Sequence, residues 1–206
     1  MAPEPFRARA ACFLAPLLAL SFVLAPPAHA LRLVNWNILN YPGTTGPARD
    51  PLYRIVLSPL GADAIVTEET TSQAGVTEFL GSLNTMEPGQ WAAAPFVDGN
   101  DTDSGLFYKT GSVQFLGQWA FYPPGTSLRL VHVYRLKPVG YASDAAEFRV
   151  YSLHLKASTG SSNVAARLAE CTGLRDSLNA MPPGTHAFVC GDYNFYTGLE
   201  PGMQKL

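Results

Sequence analysis

The stretch Ala187-Phe-Val-Cys-Gly-Asp-Tyr-Asn194 is a short apolar run that stops at a glycine, with a carboxylate and an amide directly behind it. Ala187–Gly191 reads as a buried strand. Gly191 permits a close backbone approach at the strand's end, and the i, i+2 spacing aims Asp192 and Asn194 the same way. An acceptor-only carboxylate beside an amide that both donates and accepts suits a base and an orienting group for water. The ordinary alternative is an Asx-turn in a loop.

Three upstream segments also place polar residues in or just beyond an apolar strand. Asn37 follows Leu31–Trp36, with Asn40 three residues on; alone it reads as a turn former. Glu68 and Glu69 follow Asp63-Ala-Ile-Val-Thr67. Strand alternation sends two adjacent acids to opposite faces, so only one enters a shared site. Such a carboxylate is paired, solvated or metal-bound, because an isolated buried charge is very costly; a solvated strand end or a helix cap is the plain alternative. His154 lies within Phe148–Leu155, where a hydrogen-bonded core histidine is the common case. Lys156, two residues on and on the same face, supplies a cation near it.

Around these segments the pattern is of many short strands. Gly105–Lys109, Val113–Trp119 and Leu128–Leu136 add to those above, and in the last of these Arg129 and Arg135 give one face a basic edge. Helical spacing appears from Ser72 (Val76, Phe79, Leu80, Leu83) and from Ser162 (Val164, Leu168, Cys171, Leu174, Leu178), the second ended by Pro182-Pro183-Gly184. A weaker helix spans Asp50–Leu60, with Pro51 tolerated in its first turn. The expected class is mixed α/β: two packed sheets with helices outside, a four-layer sandwich.

Composition agrees. Of 206 residues 47% are hydrophobic and 15% charged, below the roughly 25% charged of an average domain. Disordered, collagen-like and coiled-coil proteins are excluded. A net charge of −2 supplies no global basic field, so an anionic partner has to be held locally, through a bound cation.

Together the four segments form the ordered set Trp36-Asn37, Asp63-x-Ile-Val-x-x-Glu69, Ser152-x-His-Leu-Lys156 and Gly191-Asp-x-Asn194. In this order, each at a strand end, they resemble the endonuclease/exonuclease/phosphatase superfamily with its deoxyribonuclease I-like fold, over essentially residues 31–206. The resemblance implies a two-sheet sandwich and a metal-dependent phosphodiester hydrolase using Mg²⁺ or Mn²⁺. It implies Asn37 and Glu69 at the metal, with Gln the usual residue at the Glu68 position. It implies His154, Asp192 and Asn194 as catalytic residues, with Asn37, His154, Lys156 and Asn194 at the substrate phosphate. The preferred partner is nucleic acid. A phosphatase or a sphingomyelinase-like phospholipid phosphodiesterase is the alternative, and a non-catalytic binding module is a third reading; no stable protein partner is implied. The family pattern closes on Ser-Asp-His, which is absent after Asn194, so the sequence reads as C-terminally incomplete, or else as a decayed homologue. On the first reading the chain as it stands is expected to be poorly soluble and nearly inactive.

The first 30 residues read as a signal peptide, leaving residues 31–206 as the folded domain. Arg7 and Arg9 precede an apolar run, Cys12–Ala25, which Pro26-Pro27 breaks before the small-residue cleavage signal Ala28-His29-Ala30. The run is too short for a membrane span, which needs about 20 residues, although an uncleaved anchor is the plain alternative. Secretion or periplasmic export is expected, with no transmembrane anchor after cleavage. Cys171 and Cys190 read as small core residues, with a disulfide between them the other possibility in an exported protein. No zinc-binding spacing occurs.

Overall fold

The structure, a computed structural model, describes residues 30–206, so the expectation of a signal peptide over residues 1–30 lies, save for residue 30, outside the described residues. Its elements alternate as the apolar patterns require. Strand β1 (Leu33–Tyr41) leads through α1 (Gly46–Leu57) to β2 (Ala64–Thr70), and α2 (Gln73–Met86) leads on to β3 (Trp91–Ala93) and β4 (Asp103–Lys109). Strands β5 (Val113–Phe121), β6 (Val131–Pro138) and β7 (Phe148–His154) follow. Helix α3 (Ser161–Asn179) crosses to β8 (His186–Asp192), and a short α4 (Pro201–Lys205) comes last. Sheet one has the order β1-β2-β4-β3 and sheet two β5-β6-β7-β8. The pairs β1–β2 and β7–β8 are parallel and the others antiparallel.

Alternation along the strands builds four layers. Ile65 and Phe107 face Tyr53, Val76, Phe79 and Leu83 of α1 and α2. Their neighbours Val66 and Leu106 turn the other way, onto Tyr134, Leu136 and Val150 of sheet two. Tyr151 and Leu153 then cover the outer face of sheet two against Cys171 and Leu174 of α3. Period-two side chains with both faces apolar demand a cover on each side, which the crossover helices supply. The two-sheet sandwich flanked by helices expected from the sequence is the architecture observed.

Several boundaries differ. β1 continues past Trp36 to Tyr41, with its pairing to β2 shifted between Asn37 and Tyr41. Leu39 and Asn40 there adopt left-handed backbone, φ +51° and +47°. Helix α1 starts at Gly46, so Pro51 lies inside it and not in its first turn. α2 is capped as read: the Ser72 hydroxyl accepts from Gly75 N–H at 3.2 Å. β6 begins at Val131, leaving Arg129 in the preceding loop. Of the two arginines expected to edge one face of this strand, only Arg135 lies on it, partly exposed and paired with Glu147 at 2.8 Å. Both cysteines are free. Cys171 packs beneath α3 and Cys190 lies between the sheets, so they are core residues, and burial pushes both thiols up to about 12. No helix among the described residues is long and apolar enough to cross a membrane.

Candidate active site at the paired strand ends

Because β1 and β2 run parallel, as do β7 and β8, each sheet delivers two C-terminal strand ends side by side. The two pairs meet on one rim, and the residues singled out in the sequence come together there. Asn37 is the link. Its Nδ2 donates to Glu69 Oε1 at 2.9 Å and to Asp192 Oδ2 at 3.1 Å, one carboxylate from each sheet, while its Oδ1 accepts from Leu39 N–H at 2.9 Å. Glu69 Oε2 accepts from Asn40 N–H at 2.9 Å. His154 Nε2 stands 4.0 Å from Glu69 Oε1 and 3.7 Å from Asp192 Oδ2. Those gaps are too long for direct hydrogen bonds.

Backbone geometry aims each group. Gly191, at φ +145°, opposes Leu153 so closely that a Cβ would lie 1.9 Å from the Leu153 carbonyl oxygen. Only glycine fits, and the contact seats Asp192 opposite His154 in the register. β8 ends at Asp192, so Asn194 is positioned by a left-handed turn (φ +50°) and not by strand alternation. Its N–H donates to Asp192 Oδ1 at 3.1 Å, the Asx-turn bond, and its Nδ2 donates to the Leu155 carbonyl at 3.1 Å.

Glu68 and Glu69 part company at a bulge. The β2–β4 register shifts between Thr67 and Thr70, and Glu69 takes φ +60°. Glu69 reaches the rim. Glu68 is buried between the sheets, accepting from Asn35 Nδ2 and from the Ser152 hydroxyl. Burial raises its pKa to about 7 against the two hydrogen bonds, and Asp192 adds a smaller push in the same direction.

His154 is mostly buried, and burial first, then the Arg129 guanidinium, lower its pKa, opposed by Asp192 and Glu69. That shift favours the neutral imidazole, which has one nitrogen to donate and one to accept. Its Nδ1 and the Nε of Arg129 are both buried without a hydrogen-bond partner. Lys156 is not brought into the cluster: its Nζ donates to the Ala157 carbonyl at 3.1 Å and its N–H to Glu170 at 2.9 Å. The cation beside His154 is instead Arg129, paired with Asp101 at 2.8 Å. The sequence reading placed Arg129 on a strand's basic edge and not at the site, because alternation along one segment does not say which neighbour it folds against.

The metal-binding groups that the rim offers are the carboxylates of Glu69 and Asp192. Among the described residues no group of three or more His, Cys, Asp or Glu side chains is placed to hold a metal ion. Two converging carboxylates, 16% and 33% exposed, fit a hard cation of the Mg²⁺ type, which takes one or two carboxylates and keeps several waters. Asn37 meets those carboxylates through its NH₂ and spends its oxygen on Leu39, so here it orients the acids.

No protein-family model matches the sequence, and no curated protein matches it. Solved structures do match in three dimensions. A D. rerio TDP2 complexed with single-strand DNA product aligns at TM-score 0.63 and 15% identity, over 82% of this chain and 62% of that one. The human Nocturnin catalytic domain with bound sulfate anion aligns at 0.65 and 17%, over 84% and 68%. An endonuclease/exonuclease/phosphatase family protein from Bacteroides thetaiotaomicron aligns at 0.61 and 15%, over 80% and 63%. The chain thus spans a little under two thirds of the first of these, and identities this low speak to architecture alone. The described residues share the fold of these structures, one of them an endonuclease/exonuclease/phosphatase family protein, which is the architecture that the four strand-end motifs lead one to expect.

Proposed function

We propose that this chain is a divalent-metal-dependent phosphodiester hydrolase with nucleic acid as its substrate class. The carrying observation is the single Asn37 amide that bonds Glu69 and Asp192 across the two sheets, with His154 within 4.0 Å of both acids. Glu69 would hold Mg²⁺ or Mn²⁺, with Asp192 beside it. When bound, such a cation neutralises charge on the phosphate oxygens. The chain's own groups do the rest. Asp192 accepts the proton of the attacking water, and Asn37 and Asn194 keep its two oxygens oriented. His154 and Arg129 donate to the non-bridging oxygens, where charge accumulates.

The preference for nucleic acid is supported by the DNA product that one structural neighbour holds. Phosphomonoesters and phospholipids are the competing substrates. The test uses recombinant protein with bis(p-nitrophenyl) phosphate, single-stranded DNA and sphingomyelin vesicles, each with Mg²⁺, Mn²⁺ or EDTA, alongside Mn²⁺ titration followed by electron paramagnetic resonance. The expected result is Mn²⁺ binding that Glu69→Gln weakens and DNA hydrolysis that Asp192→Asn reduces by about 10²–10⁴-fold, an outcome that would also overturn the near-inactivity expected from the incomplete motif set. Absence of Mn²⁺ binding, or cleavage indifferent to Asp192→Asn, would overturn it. We further propose export with cleavage after Ala30: N-terminal sequencing of secreted material should begin at Leu31, and material that retains Met1 refutes this.

A further inference from the structure

Arg167 is buried in α3, yet the proposed chemistry does not use it. It is fully buried, and four of its five N–H donors are engaged. Nε and Nη2 donate to Glu200 Oε2 and Oε1 at 2.7 and 3.0 Å. Nη1 donates to the carbonyls of Lys156 at 2.7 Å and Ser158 at 3.0 Å. The Tyr196 ring covers the guanidinium, with its centroid 5.3 Å away. One cation thus grips two loops: residues 155–160, which follow His154, and residues 193–200, which follow Asp192.

Further bonds knit the loops to each other. Glu200 Oε1 also accepts from Tyr196 N–H at 3.0 Å, and the Tyr196 hydroxyl accepts from Ser158 N–H at 3.1 Å. Leu155 N–H donates to the Asp192 carbonyl at 2.9 Å, and the Leu155 carbonyl takes up Asn194 Nδ2 and, at 3.4 Å, Arg129. Ser158 and Asn194, one in each loop, hold left-handed backbone at φ +81° and +50°. Such conformations cost about 1–3 kcal/mol each outside glycine and persist only where the surroundings over-determine them. Gly202 lets α4 close over the pair, since a Cβ there would lie 3.2 Å from the Arg167 carbonyl oxygen.

We propose that the buried Arg167–Glu200 pair is a positioning clamp that sets the Asp192–Asn194 turn and the Leu155 carbonyl against His154. This rests on the phosphodiesterase reading above. A buried charge pair seldom adds net stability over an apolar pair of like volume, so stability alone does not explain it. The two carbonyl tethers do, because only a planar guanidinium serves a carboxylate and two main-chain oxygens at once.

The test separates positioning from stability. Arg167→Ala leaves Glu200 buried and unpaired and is expected to unfold the protein. The double variant Arg167→Met with Glu200→Met replaces the pair by apolar volume and should melt near the wild type. Hydrogen exchange read by mass spectrometry should nonetheless accelerate about tenfold or more at the Ser158 and Tyr196 amides, with the sheet amides unchanged. On bis(p-nitrophenyl) phosphate with Mn²⁺, kcat should drop about 10²-fold with KM little changed, as expected for misplaced groups. Wild-type protection in both loops, or loss of protection throughout the sheets, overturns the clamp, as does unchanged kcat. If the wild type hydrolyses nothing, the phosphodiesterase reading fails, and the exchange measurement alone decides whether the pair holds the loops.

Discussion

Glu68 and Glu69 are identical side chains one bond apart whose environments assign them different work. Glu69 sits at the rim and shares the Asn37 amide; Glu68 is sealed between the sheets with Oε2 lacking any partner. Glu69→Gln should therefore weaken Mn²⁺ binding by an order of magnitude or more, while Glu68→Gln should leave it nearly unchanged. Equal effects from the two would refute the division. Stability moves differently. Burial lifts the Glu68 pKa from 4.5 to about 7. Below pH 4.5 the folded and unfolded states both hold the proton. Between 4.5 and 7 only the folded state does, so stability falls as pH rises through that window and then levels off. At 1.36 kcal/mol per unit the loss is on the order of 3 kcal/mol. Glu68→Gln should flatten that slope, which urea midpoints at pH 4.5 and pH 8 will measure; an unchanged slope means the carboxyl is not the titrating group. The Asn37, Glu69, His154 and Asp192 set was legible because each residue follows or ends an apolar strand. Arg167 and Glu200 were not, since a charged residue on a helix or in a loop ordinarily reads as solvated surface, and Arg129 read only as part of a strand's basic edge.

At the level of elements, the β7–β8 pair shows how packing resolves a glycine. From the sequence Gly191 offers only freedom; in the sheet it meets the Leu153 carbonyl at a distance no Cβ tolerates. Gly191→Ala should force the parallel pair apart and destabilise the protein by about 4 kcal/mol or more, at the exceptional end for a single substitution. A melting temperature within a few degrees of the wild type would show that the strands can shift. Helix α2 is a milder case, where Ser72→Ala removes one cap bond and should cost about 1 kcal/mol in urea denaturation without touching Mn²⁺ affinity. α2 and α3 were readable from their 3.6-residue spacing. The three-residue β3 was not, because so short a run has no period, and α1 began earlier than its apolar pattern because Gly46 and Pro47 supply no stripe.

Among the described residues the two sheets are open, edged by β1 and β3 in one and by β5 and β8 in the other. The edge strand β8 carries Phe188, 54% exposed, its ring edge-on to Phe148 of β7. Unpaired strand edges with apolar side chains promote pairing with other chains. Sedimentation velocity should show concentration-dependent association that Phe188→Lys reduces; a monomer at all concentrations, or association indifferent to the lysine, refutes this.

Strand and helix identity, the apolar faces and the four polar strand ends were determined by the sequence itself, because periodicity and local chemistry act over a few residues. The tertiary structure alone decided which strand ends meet, for Asn37 and Asp192 are 155 residues apart and touch only because two parallel pairs pack face to face. It likewise decided that Glu68 is buried while Glu69 is reachable, that Arg129 and not Lys156 flanks His154, and that Arg167 ties two loops together. Each of these depends on the direction in which a side chain leaves its backbone, which register shifts and left-handed turns set after the chain has packed.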